Sequence, residues 1–283
     1  IMNVGIIGLG LIGGSFALTA RKFIKGSIIY GEDHNKSHQN EALKLKIVDQ
    51  ILEPSTYHNM DVIILAIPVD VALDKAFYLL DQINDNALLM DVGSTKSMIC
   101  EKLLLHPKRN QFLATHPISG TEFSGPSAAH ETLYKGKSQI LCESSKTRPD
   151  LLEWAIQWFK NMEMELHEMD PKEHDQHIAY VSHLSHISSF MLGKTVMEKE
   201  QDEKAIFDMA GSGFASTVRL AKSSPSMWTP IFKQNQENIL EVLDEYISNL
   251  EEFRTLLQQK NYNGVFEKIK KINAIKEILA GIN

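Results

Sequence analysis

Short apolar runs alternate with polar stretches of helical length in the first half of the chain. This alternation is typical of a parallel β-sheet whose strands are joined by crossover helices. The predicted strands are Asn3 to Ile7, Ser27 to Tyr30, Val62 to Ala66, Ala87 to Asp91, Phe112 to Thr115, Ser138 to Cys142 and Met164 to His167. Helices are predicted to begin near Gly10, Asn35, Val69, Ser97 and Pro149. The pattern therefore predicts an α/β domain with a mostly parallel sheet.

The pattern changes at Asp170. Asp170, Pro171 and Glu173 match the N-cap, N1 and N3 positions of a helix. The chain then runs from Ile178 to Gly193 without a single Asp, Glu, Lys or Arg, so we expect this part of the helix to be buried. We place the domain boundary here, with residues 1–169 forming the α/β domain and residues 170–283 forming an all-α domain.

Long apolar stripes follow in the last third of the chain. One helix is predicted to begin at Ser224 and Pro225, and a final amphipathic helix follows it. The first stripe comprises Trp228, Ile231, Phe232, Asn235, Ile239, Val242, Tyr246, Leu250, Phe253 and Leu257, and the second comprises Phe266, Ile269, Ile272 and Leu279. We interpret these stripes as the seam of a helical dimerisation domain, so a homodimer is expected.

Glycines are concentrated at the start of the chain. The first twenty residues are uncharged and hold five glycines, of which Gly8, Gly10 and Gly13 form a GxGxxG motif directly after the first predicted strand. The N–H groups of such a turn, here with the backbone of Leu11 and Ile12, and the positive end of the following helix dipole bind a pyrophosphate. The motif predicts a Rossmann-like dinucleotide-binding domain. So many glycines, with no basic segment before them, argue against a membrane helix or a signal sequence.

An acidic residue follows the second predicted strand at the spacing that a ribose contact requires. Asp33 lies twenty residues beyond Gly13, and a carboxylate there binds ribose hydroxyls but repels a 2′-phosphate. Neither His34 nor Asn35 supplies an arginine for such a phosphate. We therefore predict NAD as the cofactor in preference to NADP, and in preference to a flavin bound by the same turn.

Composition narrows the classes of partner. The chain of 283 residues has a net charge of −7 and no run of Lys or Arg, which argues against nucleic acid as the main partner because phosphate binding needs a basic face. The two cysteines, Cys100 and Cys142, form no CxxC motif. Reduced thiols in the cytoplasm fit this usage.

Polar residues follow the predicted strands at the edge where ligands bind. In an open parallel sheet that edge lies at the carboxyl ends of the strands. Ala66 and Pro68 follow the third predicted strand and are expected beside the cofactor, and Ser94 follows the fourth. His116, Ser119, Thr121 and Glu122 follow the fifth. Ser94 and His116 could form a hydrogen-bonded pair in which the histidine accepts a proton as hydride leaves a substrate.

Histidines and one arginine supply the remaining candidate chemistry. The helix after Asp170 carries several histidines, but its α-helical geometry sets them on different faces, so a three-ligand metal site is not expected. His183 and His186 are interpreted as pocket-lining residues, with satisfied core histidines as the alternative. Arg219 follows a glycine-containing loop and is suited to bidentate carboxylate binding, with a surface ion pair as the alternative.

Taken in order, the segments GLGLIGGS, LAIPV, DVGSTKS, HPISGTEFSG, SHLSH and GSGFASTVRLAKSSPSMW resemble the prephenate/arogenate dehydrogenase family of tyrosine biosynthesis. The resemblance covers nearly the whole chain. It implies an N-terminal NAD-binding domain, a helical domain that pairs two subunits, and oxidative decarboxylation of a cyclohexadienol.

The resemblance also implies roles for individual residues. His116 would accept the proton of the ring C4 hydroxyl, and Ser94 would hydrogen-bond that hydroxyl and orient His116. Arg219 would bind a substrate carboxylate, while His183, His186 and Thr121 would line the substrate pocket. Ala215 and Ser216 stand where the family commonly has a basic and an acidic residue, which leaves the outer substrate contacts and feedback by tyrosine open.

Alternatives remain at this point. Prephenate is the favoured substrate, and arogenate is the first alternative. A β-hydroxyacid dehydrogenase shares the domain layout but uses a lysine on the long helix, whereas Lys194 lies beyond the uncharged stretch. A non-catalytic NAD-sensing dimer would need the glycine turn but not Ser94, His116 and Arg219 together.

Overall fold

A computed structural model describes residues 1–121, 123–202 and 205–281 of the chain. Its centre is an eight-stranded sheet in the order β3-β2-β1-β4-β5-β6-β7-β8. The strands are β1 (Asn3–Ile7), β2 (Ile28–Glu32), β3 (Gln50–Ile51), β4 (Val62–Leu65), β5 (Leu88–Asp91), β6 (Phe112–Pro117), β7 (Ser138–Cys142) and β8 (Glu165–Met169). All neighbouring strands are parallel except β6 and β7, so the α/β prediction with a mostly parallel sheet is confirmed.

Helices cover both faces of this sheet, and their starts match the predicted positions. The helices of the first half are α1 (Leu11–Phe23), α2 (Lys36–Lys44), α3 (Val69–Gln82), α4 (Ser97–Leu103) and α5 (Pro149–Asn161). Two apolar clusters hold the layers together. One lies between α1, α5 and the sheet around Phe16 and Trp158, and the other lies between α3, α4 and the opposite face around Leu79 and Phe112.

The reversal between β6 and β7 is a feature that the hydrophobic pattern does not reveal. His116 of β6 pairs with Ile140 of β7 in antiparallel register, and Pro117 pairs with Gln139. The start of β7 therefore lies beside the carboxyl end of β6. The segment between the two strands leaves and re-enters the sheet at the edge where ligands are expected.

A long helical segment follows β8. It consists of α6 (Pro171–Ile178), a π-helical turn (Ala179–His183) and α7 (Leu184–Asp202). The side chain of Asp170 accepts hydrogen bonds from the N–H groups of Lys172 and Glu173, which confirms the predicted N-cap. The predicted burial of residues 178–193 is wrong for the single chain, because Val181 is 72% exposed and Met191 is 52% exposed. The absence of charge here leaves apolar side chains on the surface of one subunit.

The predicted apolar stripes are each divided between two helices. The later helices are α8 (Ser212–Thr217), α9 (Pro225–Gln234), α10 (Gln236–Gln258), α11 (Tyr262–Ile272) and α12 (Ile275–Ala280). The first stripe is interrupted at Asn235, whose φ and ψ of −111° and 26° end α9. The second stripe is interrupted after Asn273, between α11 and α12.

Two compact units are distinguished by their internal contacts, residues 1–235 and the residues from Gln236 onward. The second unit contains α10, α11 and α12. Its exposed apolar side chains include Leu250, Phe266, Ile269, Ile272 and Ile278. The predicted boundary at residue 169 remains a prediction based on sequence. Across the described ranges, no helix is both long and apolar enough to span a membrane.

Candidate active site

The glycine turn between β1 and α1 has the shape that a dinucleotide requires. Gly8 has a φ of +97°, and a Cβ atom there would lie 2.1 Å from the carbonyl oxygen of Ala66. A Cβ atom on Gly13 would lie 1.9 Å from the carbonyl oxygen of Gly8. Glycine is therefore required at both positions by the close approach of backbone to backbone.

Gly10 differs from these two glycines, because a Cβ atom there would meet nothing within 4 Å. Gly10 is the N-cap of α1, and its cap is made without any side-chain hydrogen bond. The first N–H groups of the helix, on Leu11 and Ile12, thus receive no side-chain hydrogen bond from the cap residue. This arrangement fits a pyrophosphate group.

Asp33 lies at the end of β2, beside the glycine turn. Its Oδ2 accepts a hydrogen bond of 2.8 Å from the N–H of Leu9, and its Oδ1 accepts one of 2.8 Å from the N–H of Asn35. These bonds hold the carboxylate against the turn, and each oxygen retains a second lone pair for a ribose hydroxyl. The geometry fits a dinucleotide whose ribose is not phosphorylated at the 2′ position.

Ala66 and Pro68 lie directly after β4, on the other side of the same turn. The N–H of Ala66 donates to the carbonyl of Ile7 at 2.7 Å, and Pro68 is the N-cap of α3. The carboxyl ends of β1, β2 and β4 therefore lie side by side at one edge of the sheet. The residues present fit NAD, which would lie with its pyrophosphate at the start of α1.

His116 lies at the carboxyl end of β6 and is buried. Its Nδ1 is 2.8 Å from Nε2 of His174 on α6, and Nδ1 of His174 is 2.8 Å from Oδ1 of Asp175. The Asp175 carboxylate also accepts the N–H groups of Lys96 and Ser97, at 2.7 and 2.8 Å. A buried chain of hydrogen bonds thus connects His116 to an anchored carboxylate.

The direction of these bonds follows from the carboxylate at one end. Burial raises the pKa of Asp175, but hydrogen bonds from His174 and from the N–H groups of Ser97 and Lys96 outweigh it and hold that pKa below its usual value. An ionised Asp175 only accepts, so Nδ1 of His174 carries a proton and its Nε2 accepts from Nδ1–H of His116. Nε2 of His116 is then the unprotonated nitrogen, which is the form that a general base requires.

Ser94 is placed differently from the expectation. It lies half-buried between β5 and α4, and within the described ranges no hydrogen bond joins it to His116. His174 takes that place, because α6 brings a second imidazole against Nδ1 of His116. The expected Ser94–His116 pair is therefore not present, although Ser94 still lies at the carboxyl end of β5, on the same edge of the sheet.

Lys96, a cation of the same segment, is fully buried. Its Nζ forms an ion pair with Asp91 and donates to the carbonyl of Thr115 at 2.8 Å. This ion pair ties the turn after β5 to the end of β6, next to His116. Lys96 is therefore a structural residue of the edge and is not accessible to a ligand.

Thr121 is exposed in the loop after β6, where its Oγ1 accepts the N–H of Phe123 at 3.2 Å. An open cavity of about 690 Å³ is lined by Thr121, Phe123, Ser124, Ser127, Ala128 and His130. The N–H of His130 donates to the hydroxyl of Ser15 on α1. The loop thus covers the start of α1. Glu122 lies outside the described residues.

His183, His186 and Trp228 form an aromatic group beside this edge. The ring of His186 stacks on Trp228 at 3.6 Å between centroids, and the ring of His183 meets Trp228 edge-on at 5.8 Å. His183 is fully buried, whereas Arg219 is exposed in a short 3₁₀ helix. Burial lowers the pKa of His186, the hydrogen bond to the carbonyl of Ser182 raises it, and the charge of Arg219 lowers it further.

The candidate base is neutral at physiological pH. Burial lowers the pKa of His116 well below its ordinary value, and the neighbouring His174, Lys96 and His183 further disfavour a positive charge on the ring. Burial also lowers the pKa of His183 to about 4. Both rings are therefore uncharged at neutral pH, and His116 is available to accept a proton.

His174 and Asp175 are the site residues that sequence reasoning missed. They fall within EHDQHIAY, where the several histidines directed attention to metal binding. The strand order gives no signal for them, because β8 runs antiparallel to β6 and its carboxyl end points away from the ligand edge; the contacts of Asp175 with the start of α4 bring this helix to His116. The π-helical turn was a further obstacle, because it widens the helix and alters the relative direction of His174 and His183. Within the described ranges, no group of three or more His, Cys, Asp or Glu side chains could hold a metal ion.

Comparison with known proteins identifies the family of this chain. Residues 16–167 match the family model for the nucleotide-binding domain of prephenate dehydrogenase, and residues 170–271 match the model for its dimerization domain. Prephenate dehydrogenase of Bacillus subtilis is 33% identical over 269 residues, which are 94% of this chain and 72% of that protein.

Solved structures extend the comparison to the fold. Prephenate dehydrogenase from A. aeolicus, in complex with hydroxyphenyl propionate and NAD+, superposes with a TM-score of 0.89 at 30% identity and covers 99% of this chain and 98% of that one. Synechocystis arogenate dehydrogenase has a TM-score of 0.77 at 25% identity, with 98% and 100% covered. The chain therefore belongs to the prephenate dehydrogenase family of NAD-dependent oxidoreductases.

Proposed function

We propose that this enzyme catalyses the NAD-dependent oxidative decarboxylation of prephenate to 4-hydroxyphenylpyruvate, a step of tyrosine biosynthesis. The observation that carries the proposal is the buried chain from His116 through His174 to Asp175. It places a neutral base at the carboxyl edge of a sheet whose glycine turn fits NAD. The membership of the family supplies the class of substrate.

His116 begins the proposed mechanism by accepting the proton of the substrate's C4 hydroxyl at Nε2. NAD supplies the hydride acceptor. As the C4 oxygen loses its proton to His116, a C4 carbonyl forms and the hydride departs from C4. The ring carboxylate then leaves as CO₂, and its bonding electrons pass to the C4 oxygen to give an aromatic phenolate, which takes the proton back from His116 to become the phenol. The positive charge that His116 gains is stabilised by its Nδ1–H bond to His174, whose own Nδ1–H bonds to Asp175. The chain manages one proton and holds the substrate in place.

Arg219 is the proposed partner of a substrate carboxylate, since a guanidinium binds a carboxylate through two charge-assisted hydrogen bonds. The proximity of its charge to His186 supports a position beside the stacked His186 and Trp228 rings. His183 and Thr121 complete the proposed pocket, and Ser94 contributes from the end of β5. A dianionic substrate entering a protein of net charge −7 needs such a cation nearby.

The enzyme is proposed to act as a homodimer that pairs through its C-terminal helices. The dimerization-domain model matches residues 170–271. Apolar side chains of α7 that are exposed in the single chain include Met191, Leu192 and Met197. In the second unit, α11 exposes Phe266, Ile269 and Ile272. Apolar surface of this extent is typical of an interface.

Turnover with two substrates tests the proposal. Prephenate and arogenate are each offered with NAD+, and NADH formation is followed by absorbance. We expect a higher kcat/KM with prephenate. A higher kcat/KM with arogenate would reassign the enzyme to the activity printed for its Synechocystis neighbour. No turnover of either acid would refute the proposed reaction.

A further inference from the structure

Asn235, at the C-terminal end of α9, joins two parts of the site. It is buried, and its Nδ2 donates to the backbone carbonyl of Asp175 at 2.6 Å. The same Nδ2 lies 3.1 Å from Nδ1 of His183. A carbonyl oxygen only accepts hydrogen bonds, so the Asn235 atom in contact with both groups is the amide nitrogen. Its second hydrogen is then donated to Nδ1 of His183.

This contact determines which nitrogen of His183 carries the proton. His183 is fully buried, and burial lowers its pKa to about 4, so the ring is neutral at physiological pH and carries one N–H. Because Nδ1 accepts from Asn235, the proton is on Nε2. Nε2 is buried and has no hydrogen-bond partner within the described residues. His183 thus presents a buried donor for which the chain provides no acceptor.

The surroundings of His183 lie along the proposed substrate pocket. Protonation of His183 would disfavour protonation of His116, and protonation of His186 would disfavour protonation of His183. The ring of His183 packs edge-on against Trp228 and Phe232. The donor therefore belongs to the same group of rings as His186 and Trp228, and Asn235 connects it to the backbone of Asp175, the residue that anchors His174.

We propose that Asn235 is a positioning residue that holds His183 as a hydrogen-bond donor, and that Nε2–H of His183 binds a carboxylate or carbonyl oxygen of the substrate. A buried polar group without a partner lowers stability, and a ligand oxygen removes that cost on binding. The proposal rests on the proposed function only for the identity of the ligand. The donor role of His183 stands on the contacts of Asn235.

The first test measures the tautomer in the unmodified protein. Histidine labelled with ¹⁵N is introduced, and long-range ¹H–¹⁵N correlation spectra distinguish protonated from unprotonated ring nitrogens. The His183 signals are assigned by their loss in His183→Gln. We expect a protonated Nε2 and an unprotonated Nδ1. A protonated Nδ1 would overturn the proposal, whatever reaction the enzyme catalyses.

The second test reverses the polarity of the contact. In Asn235→Asp a carboxylate accepts from Nδ1–H of His183, so Nε2 becomes an acceptor that faces the substrate oxygen. Gln234→Glu is the matched control, since it adds the same charge one residue away and retains an acceptor for the Thr95 hydroxyl, which lies 2.7 Å from Gln234.

Hydroxyphenyl propionate, the compound bound with NAD+ in the A. aeolicus structure, serves as the probe with NAD+ present. We expect its Kd to rise at least tenfold in Asn235→Asp and less than threefold in Gln234→Glu, with the Kd of NAD+ unchanged in both. Equal effects of the two substitutions, or none from Asn235→Asp, would overturn the proposal. If prephenate is not turned over but the tautomer and the shift in Kd are as expected, the proposed reaction is wrong and the role of Asn235 stands.

Discussion

His174→Phe tests the hydrogen-bonded chain on which the proposed mechanism depends. Phenylalanine keeps a ring in the space where the imidazoles of His116 and His174 now lie 5.1 Å apart between centroids. It removes the nitrogen that accepts from Nδ1–H of His116, 2.8 Å away. His116 then has no partner that selects its tautomer, and the positive charge that it gains during proton transfer is no longer delocalised toward Asp175.

The size of the effect follows from the kind of bond that is lost. A hydrogen bond to a charged group contributes about 1.5–3 kcal/mol, and His116 is charged only after it has accepted the proton. The loss therefore falls on the transition state, and at 1.36 kcal/mol per factor of ten it corresponds to a decrease of about 10- to 150-fold in kcat. The KM for substrate and the Kd of NAD+ should change little, because His174 acts through His116 and does not itself hold the substrate or NAD in the proposed site.

Steady-state kinetics with prephenate and NAD+ measure the decrease in kcat. Two further variants distinguish a catalytic role of His174 from a structural one. His174→Gln can set an amide oxygen near the position of Nε2, so it should recover part of the lost kcat. His177→Phe is the control, because His177 is an exposed histidine on the same helix. A kcat of His174→Phe within twofold of the parent enzyme would refute the chain as a catalytic device. Equal losses in His174→Phe and His174→Gln, with a lowered Tm in both, would assign His174 a structural role.

Four further outcomes are expected. His116→Asn should lower kcat by about two to four orders of magnitude, which is the range for loss of a general base, and should leave NAD+ binding intact. Turnover within tenfold of the parent enzyme would exclude His116 as the general base. Burial lowers the pKa of His116, so kcat/KM should fall only as the pH drops below 6.5, and an acidic limb above pH 7 would contradict this. Arg219→Lys should raise the KM for substrate about 10- to 100-fold with less effect on kcat, and an unchanged KM with a lowered Tm would make Arg219 structural. Asp33 should give NAD+ the higher kcat/KM over NADP+, and Asp33→Ala should narrow the difference; an equal kcat/KM for both cofactors in the parent would refute the placement of this carboxylate.

Stability should depend on pH through the buried histidine His183. Its pKa is lowered from 6.5 to about 4 by burial, so between these values the unfolded chain binds more protons than the folded chain. The free energy of unfolding should therefore fall as the pH drops from 6.5 toward 4. Denaturant titrations at several pH values measure this slope, and His183→Gln should flatten it. An equal slope in the variant would assign the acid sensitivity to other groups.

The fold of the first half could be predicted from sequence because each of its signals is local. Strands such as Asn3–Ile7 are continuous apolar runs, and helices begin at the predicted residues because Gly10, Asn35 and Asp170 are cap residues. Features that depend on distant contacts could not be predicted in this way. The reversal of β7 depends on pairing with β6, and its apolar pattern is the same in either direction.

In the candidate site too, features with a local sequence signal could be predicted, whereas features that depend on distant contacts could not. Gly8, Gly13 and Asp33 could be predicted as cofactor contacts because their spacing along the chain reflects one local motif, and this assignment stays a prediction. His116 was placed correctly at the carboxyl edge, but its partner was not, since Ser94 and His174 are both plausible neighbours until the packing of α6 is known. Burial of residues 178–193 was overestimated because the pattern of a helix does not distinguish burial within a subunit from exposure on a single chain.

The antiparallel pairing of β6 and β7 connects the loop at the ligand edge to the cofactor helix. Residues 118–137 begin and end at one edge of the sheet. The N–H of His130 donates to the hydroxyl of Ser15 on α1, and the hydroxyl of Tyr134 donates to the carbonyl of Ile12 at 2.6 Å. Tyr134 is also buried against Phe16. In evolution, and in protein engineering, exposed loop residues such as Thr121 and Phe123 can therefore be exchanged more freely than His130 or Tyr134, whose replacement would also disturb the helix at which NAD would bind.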